Sequence, residues 1–125
     1  MPRDLRIVFL VAVAVRAVFL ADTRGDPLFR ILVLDARSYF ELAQRFAAGD
    51  WLYGTEPLWF APLYPTLLGS LFRLIGPRPD VAILLQHLLG ALTAVVVTAA
   101  GRRISARVGL AAGLLLSAHP VLVFY

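Results

Sequence analysis

Long apolar stretches alternate with one mixed segment along this chain. Ile7–Ala21 is apolar except for Arg16, Val81–Gly101 carries no charge over 21 residues, and Val108–Tyr125 is again uncharged. Because about 20 consecutive apolar residues make a helix that crosses a bilayer, each stretch predicts a transmembrane helix. We therefore expect an all-α integral membrane protein with about three transmembrane helices, at positions 5–21, 81–101 and 108–125.

The first apolar stretch has the basic start of a signal peptide, since Arg3 and Arg6 precede it. Cleavage requires small residues, but the bulky Phe19 stands where one is needed, in the sequence Val-Phe-Leu-Ala before Asp22. We therefore interpret the stretch as a retained signal anchor. Basic residues favour the cytoplasmic side, which predicts a cytoplasmic amino terminus in a multi-pass protein of the inner (plasma) membrane.

The mixed segment from about Asp22 to Asp80 contains a predicted amphipathic helix, Ala36–Ala48. Apolar side chains recur at helical spacing on one side of it, and charged or polar side chains occupy the other. Glu41 and Arg45 are spaced for an i, i+4 ion pair, and Gly49 is a natural helix end. Because the helix is too polar to span, we expect it to lie along the membrane interface.

Prolines divide the remainder of this segment, and Pro62–Ile75 is short for a span. Runs of about 10–14 apolar residues are more often interfacial or re-entrant. If this stretch crossed the membrane, the cluster Arg102, Arg103 and Arg107 would lie outside, against the positive-inside tendency. We therefore expect residues 22–80 to form one long outer loop with interfacial or re-entrant helices.

The composition agrees with a membrane protein and excludes several classes of function. Hydrophobic residues make up 60% of the 125 residues, charged residues 16%, and the mean hydropathy is +0.80. All 12 basic residues are arginine, placed singly or at the ends of apolar stretches, which is typical of membrane anchoring rather than nucleic-acid binding. Cysteine is absent, which excludes disulfides and thiolate chemistry, and two separated histidines do not suggest a metal site.

Asp35 is the acidic residue that we single out. It stands between the apolar residues 31–34 and the amphipathic helix, so we expect its carboxylate near the boundary of water and lipid. A carboxylate there can accept a proton from an incoming hydroxyl, as a general base does. Aspartate is also a preferred N-cap, which gives the same position a structural interpretation. The two roles are compatible, since a capping carboxylate keeps a free oxygen.

Three arginines are candidates for contact with phosphate. Arg16 lies inside the first predicted span, where it either snorkels to the outer headgroups or pairs with Asp35 or a lipid phosphate. Arg37 and Arg45 lie on the polar side of the amphipathic helix. In the last two spans we expect the polar pair Gln86 and His87 to face the helix bundle and His119-Pro120 to kink a helix.

The order of short motifs along the whole chain is that of a known family. Asp35-Ala-Arg-Ser-Tyr-Phe-Glu-Leu-Ala-Gln44 and Gly49-Asp-Trp51 follow the first span, and Phe60-Ala-Pro-Leu-Tyr-Pro65 and Leu71-Phe-Arg-Leu-Ile-Gly76 come next. Gln86-His-Leu-Leu-Gly-Ala-Leu-Thr93, Gly101-Arg-Arg103 and Ala118-His-Pro120 close the series. In this order the motifs resemble the amino-terminal part of bacterial GT-C membrane glycosyltransferases, of the family 39 type that includes protein mannosyltransferase and aminoarabinose transferase.

The resemblance implies a reaction and a site. Such enzymes transfer a sugar from a polyprenyl-phosphate donor to a hydroxyl acceptor with inversion, and an acidic residue early in the first outer loop acts on the acceptor. That residue corresponds here to Asp35, and we take Arg37, Tyr39, Tyr64 and Arg16 as candidate substrate-binding residues. A divalent cation is a possible cofactor of this chemistry, and no metal ligands are assigned.

Two departures from the family pattern leave the donor sugar and the metal requirement open. Ala36 stands where many relatives have a second acidic residue, and Ala61 stands where some have lysine. The family's further spans and its second outer-loop acid are not in this sequence, so we expect the chain to be an amino-terminal fragment that is inactive alone.

Two other functions stay open at this point. A fragment of a polytopic transporter or flippase would place charged residues or broken helices at mid-membrane depth. A small structural membrane protein would need no catalytic residue. The number of copies in an assembly is not predicted.

Overall fold

The structure is a computed structural model that describes residues 2–26, 32, 34–54, 60–120 and 123. These residues form five α-helices, which confirms the all-α prediction. The helices, in chain order, are α1 (Arg3–Thr23), α2 (Leu34–Ala47), α3 (Leu63–Ile75), α4 (Pro79–Gly101) and α5 (Ala106–Ala118).

Among the described residues, α4 is the one helix that is both long and apolar enough to cross a membrane. The sequence predicted three such helices. Helix α1 has 21 residues but includes charges such as Arg6 and Arg16. Helix α5 has 13 residues, because the chain leaves the helical conformation at His119, which precedes Pro120. Pro120 and Val123 are helical again, and the Val123 N–H bonds to the His119 carbonyl, so the helix is interrupted at His119, as the predicted kink expects. The predicted third span also includes positions 121, 122, 124 and 125, which lie outside the described residues.

The helix ends follow from local sequence. Helix α2 begins and ends within two residues of its predicted bounds, and Gly49 follows it with φ +106° and its N–H bonded to the Phe46 carbonyl. Helix α3 begins two residues before Pro65. A proline is tolerated there because the first-turn N–H groups have no partner within the helix.

The chain divides into two compact units. Unit 1 comprises Met1–Gly25 and Gln86–Tyr125, and unit 2 comprises Asp26–Leu85. The first turns of α4 therefore belong to unit 2, and the rest of the helix belongs to unit 1.

Unit 1 has a core of small side chains. Val8 and Ala12 of α1 are buried against Ala91 and Ala94 of α4, and side chains of α5 pack on this cluster. Large apolar side chains point outward instead, among them Leu10 (65% exposed), Val96 (66%) and Leu115 (74%). The buried positions of α5 are Gly109, Gly113 and Ser117, which recur every four residues on one face.

Helices α1 and α4 run in opposite directions within unit 1. Asp4, at the start of α1, forms an ion pair with Arg102, which directly follows α4. Near the other end, the Phe19 and His87 rings meet edge to face, with their centroids 5.9 Å apart. Two contacts of this kind at opposite ends of the pair require antiparallel helices.

Unit 2 is built on a close approach of α2 and α3. Its core comprises Ala43 of α2, Leu68 and Phe72 of α3, and Ala82 and Leu85 in the first turns of α4. The amphipathic character predicted for α2 is confirmed, since its apolar side faces this core.

Gly69 of α3 lies against α2. A Cβ at that position would come within 2.7 Å of the Ala43 carbonyl oxygen and 2.9 Å of Phe46, so any side chain there would force the two helices apart.

Candidate functional site

Asp35 lies in the first turn of α2 with an exposed side chain. The helix begins two residues earlier than an N-cap at Asp35 would require, so the carboxylate belongs to the first helical turn and not to the cap position. A negative charge there interacts favourably with the helix dipole. Among the described residues, none donates a hydrogen bond to this carboxylate or forms an ion pair with it.

Three other acidic residues of unit 2 form ion pairs, whereas Asp35 forms none with a described residue. Glu41 binds Arg37, Asp50 binds Arg45, and Asp80 binds Arg78, with N–O distances of 2.8, 2.7 and 3.2 Å. In each of these pairs the carboxylate is bound to an arginine. The Asp35 carboxylate is open to a hydroxyl approaching from solvent.

Three aromatic rings gather one helical turn from Asp35. Tyr39 is four residues after Asp35 and therefore on the same face of α2. Its ring centroid lies 5.5 Å from that of Tyr64 and 5.3 Å from that of Phe60, both in edge-to-face geometry. Such contacts are worth about 0.5–1.5 kcal/mol each beyond the area they bury, so they fix the ring orientations. We call Tyr39, Phe60 and Tyr64 the aromatic trio.

Arg37 does not share the face of Asp35. Two helical residues apart, the side chains project to nearly opposite sides of α2. Arg37 Nε donates to Glu41 Oε1 at 2.8 Å, and this hydrogen bond raises the pKa of the Arg37 guanidinium. The predicted ion pair between Glu41 and Arg45 is therefore wrong. Glu41 pairs instead with Arg37, which lies one helical turn closer to the amino terminus.

Arg45 instead organises the turn after α2. Its Nε and Nη2 donate to Asp50 Oδ2 at 3.0 and 2.7 Å, while Asp50 Oδ1 accepts the backbone N–H of Gly54 at 2.8 Å. Both interactions hold the pKa of Asp50 below its ordinary value, the Gly54 hydrogen bond most strongly. This turn also positions Tyr53, whose hydroxyl is 2.6 Å from Thr66 Oγ1 of α3. Arg45 is thus engaged in holding the turn together.

Arg16 belongs to unit 1 and is buried. Its side chain is 3% exposed, its Nη1 donates to the Ala12 carbonyl at 3.2 Å, and its guanidinium lies against Gly90 of α4. A Cβ at Gly90 would come within 2.7 Å of Nη2, so the glycine provides the space that the guanidinium fills. Snorkelling, one of the two predicted alternatives, does not describe this side chain. The pairing with Asp35 or a lipid phosphate stays a prediction.

The structure brings together some of the predicted site residues and not others. Tyr39 and Tyr64 are in contact, and Asp35 lies on their side of α2. Arg37 is on another face of that helix, and Arg16 is in unit 1. Phe60 was not predicted as a site residue, although its place in the proline-rich motif beside Tyr64 was a usable signal. Gly90 could not have been recognised from sequence, because its role depends on a contact with another helix.

Within the described residues, no group of three or more histidine, cysteine, aspartate or glutamate side chains is arranged to hold a metal ion. Asp35 has no second acid beside it in sequence, since Ala36 follows. These residues therefore do not fit a divalent cation, and no chemical step is assigned to one.

Comparison with known proteins gives no relative for this chain: no family model, no curated protein and no solved structure matches it.

Proposed function

We propose that this chain is an integral membrane protein with α1, α4 and α5 in the bilayer. The support is the distribution of side chains in unit 1, where most of the fully buried residues are small, among them Ala12, Ala91 and Ala94, while Leu10, Val96 and Leu115 face outward. Helices in lipid gain nothing from burying leucine, so they associate through small residues that allow close backbone packing. Gly109 and Gly113 have the GxxxG spacing of such contacts.

The antiparallel pair of α1 and α4 supports a definite topology for this membrane protein. The ion pair between Asp4 and Arg102 brings Arg3, Arg6, Arg103 and Arg107 to the same end of unit 1. Clustered arginines favour the cytoplasmic side, which puts the amino terminus inside. If α1 and α4 both span the membrane, the chain leaves the membrane after α1 and re-enters it at α4 on the same side. Helix α3, which lies between them, therefore cannot cross the membrane a single time.

Because the chain has no cysteine, a single cysteine at Ser105 tests this topology in intact cells. We expect an impermeant maleimide to label it only after the membrane is opened, and a cysteine at the exposed Gln44 to be labelled from outside. Labelling of Ser105→Cys in intact cells would reverse the orientation.

We further propose that the chain forms the amino-terminal part of a membrane glycosyltransferase of the GT-C type. In the reaction, a hydroxyl oxygen of the acceptor attacks the anomeric carbon of a polyprenyl-phosphate sugar. The bond from that carbon to the phosphate oxygen breaks, polyprenyl phosphate leaves, and the configuration inverts. The acceptor proton passes to a carboxylate, so one general base is sufficient.

The observation that carries this proposal is the Asp35 carboxylate. It is exposed, it has no arginine partner among the described residues, and it lies on the same helix face as the aromatic trio. In the proposed topology, residues 22–80 lie on the outer side, where sugars are transferred from lipid carriers. The rings of Tyr39 and Tyr64 offer apolar surfaces to a sugar and hydroxyls to its polar rim.

The arginines have distinct parts in this proposal. The guanidinium of Arg37 is exposed beyond its contact with Glu41 and can approach a phosphate, although not from the face of Asp35. Arg16 belongs to unit 1, and its contact with a lipid phosphate stays a prediction.

Asp35→Asn in the complete gene product tests the reaction. We expect transfer from polyprenyl-phosphate mannose or polyprenyl-phosphate aminoarabinose to fall by about 10²-fold or more, the usual contribution of a general base. Asp80→Asn is the matched control, because Asp80 is an exposed acid of the same unit whose partner is Arg78. Near-normal transfer by Asp35→Asn, with insertion unchanged, would remove Asp35 from the mechanism.

A fragment of a transporter or flippase is the second candidate, and the burial of Arg16 beside Gly90 favours it. A charged side chain inside a bundle of spans often marks a transport pathway. This alternative predicts that Arg16→Gln, and not Asp35→Asn, abolishes the activity of the complete protein, measured as lipid or solute translocation in vesicles.

A further inference from the structure

Helix α3 has two different faces. Pro65, Leu68, Gly69 and Phe72 are buried on one side. On the other side Leu63 and Leu74 are each 80% exposed, and Leu67 and Ile75 are exposed as well. We call Leu63, Leu67, Leu74 and Ile75 the outer face of α3. Contiguous exposed leucine and isoleucine side chains mark a surface that is covered by something other than water.

The buried side of α3 fixes its position along α4. Leu68 and Phe72 share one core with Ala82 and Leu85, which lie in the first two turns of α4. Three residues, Gly76 to Arg78, connect the two helices. Helix α3 therefore stays beside the beginning of α4 and cannot extend away from it.

The length of α4 then decides what surrounds α3. The uncharged stretch Val81–Gly101 is about 32 Å long at 1.5 Å per residue, which equals the hydrocarbon thickness of a bilayer of about 30 Å. If α4 spans the membrane, the whole uncharged stretch is needed to cross the hydrocarbon. Ala82 and Leu85, near the start of that stretch, therefore lie at or just inside the boundary of the hydrocarbon. A helix packed on these two residues is at the same depth.

The rim of this surface has the residues that favour lipid headgroups. The guanidinium carbon of Arg73 is 5.5 Å from the centre of the Trp51 ring, and Trp51 is 60% exposed. Tryptophan and arginine are enriched at the level of the headgroups, where a ring and a cation can contact both lipid and water. Leu52, next to Trp51, is also exposed.

We infer that the outer face of α3 binds the outer leaflet of the lipid bilayer, with Arg73 and Trp51 at headgroup level. The inference rests on the proposed spanning of α4 and goes beyond it, because a spanning α4 alone does not say what covers α3. The occupant is phospholipid: the depth of Ala82 and Leu85 brings the face to the acyl chains without any additional partner.

Nitroxide labels on single cysteines test this inference in the chain reconstituted into phosphatidylcholine–phosphatidylglycerol vesicles. We choose Leu63, Leu67 and Leu74 on the outer face, Gln44 on the exposed side of α2 as the matched water-facing control, and Leu92 of α4 as the lipid control. All five positions are exposed, so the labels leave the cores intact, and circular dichroism checks the helix content. The measurement compares label accessibility to oxygen, which concentrates in lipid, with accessibility to a water-soluble nickel complex.

We expect oxygen to reach labels at Leu63, Leu67 and Leu74 more readily than nickel does, as at Leu92, with the opposite order at Gln44. Nickel access at the three α3 positions together with oxygen access at Leu92 would overturn the inference and leave the spanning of α4 intact. Nickel access at Leu92 as well would remove the membrane proposal itself. Poor access of both reagents to α3 would mean that protein covers the face, which also overturns the inference.

Discussion

Gly69→Ala is the substitution that tests the packing of unit 2 most directly. The added methyl would meet the Ala43 carbonyl oxygen at 2.7 Å and Phe46 at 2.9 Å, whereas ordinary contacts begin near 3.4 Å. The carbonyl belongs to the backbone of α2 and cannot rotate away. The two helices must therefore move apart by up to about 0.7 Å at the point where they cross.

The size of the stability loss follows from this separation of the two helices. A separation of 0.5–1 Å loses a quarter to a half of the dispersion energy across an interface. Overpacking of a core costs about 1–3 kcal/mol, and the better helix propensity of alanine returns about 1 kcal/mol. The difference is about 0–2 kcal/mol. Because Leu68 and Phe72 flank Gly69 and lose contact with α2, we expect the upper half of that range, a net loss of about 1–2 kcal/mol in the free energy of unfolding of unit 2.

Trp51 provides the assay. Its ring lies 6.2 Å from that of Phe46, so its fluorescence reports the α2–α3 contact once Trp59 is replaced by phenylalanine. Urea unfolding in mild detergent is compared between Gly69→Ala and Ser70→Ala, the neighbouring exposed position, which should be nearly neutral. If Gly69→Ala is as stable as the parent chain, the close approach of α2 and α3 is wrong.

Two further predictions concern the core of unit 1 and the turn after α2. Gly113→Ala should destabilise unit 1 in thermal unfolding, since its Cβ would clash with Thr98 Oγ1, and Thr98→Ala should recover part of the loss. Simple additivity of the two changes would argue against the contact. The pKa of Asp50 is lowered in the folded state by Gly54 and Arg45, so its contribution to stability is full above its ordinary value of 3.8 and is lost as pH falls through the lower folded value. The difference in melting temperature between the parent chain and Asp50→Asn should therefore be largest near neutral pH and shrink in acid, and a difference that does not vary with pH would count against this ion pair.

Sequence periodicity predicted the local features because neighbours within one helical turn determine them. The apolar side of α2, the helix end before Gly49 and the short helix before Gly76 follow from residues three or four positions apart. The same reasoning identified Asp35 as an acid between an apolar run and a helix. It misplaced the start of α2 only slightly, because several residues near a helix end can begin it.

The choice among nearby ionic partners could not be predicted in this way. Glu41 has an arginine four residues away on either side, so spacing alone allows Arg37 and Arg45 equally. The turn after α2 decides the outcome: it brings Asp50 within 2.7 Å of Arg45, which leaves Glu41 to Arg37. Sequence distance therefore misassigned a pair that backbone geometry determines.

By itself, then, the sequence determined an all-helical chain, where its helices lie and which of their faces are apolar, since these depend on periodicity alone. Only the tertiary structure decided that Gly90 makes room for the buried Arg16 and that Asp4 meets Arg102, 98 residues away. It also decided that α3 keeps its buried side on the first turns of α4. Contacts of this kind depend on how backbones approach one another, which small side chains permit but do not specify.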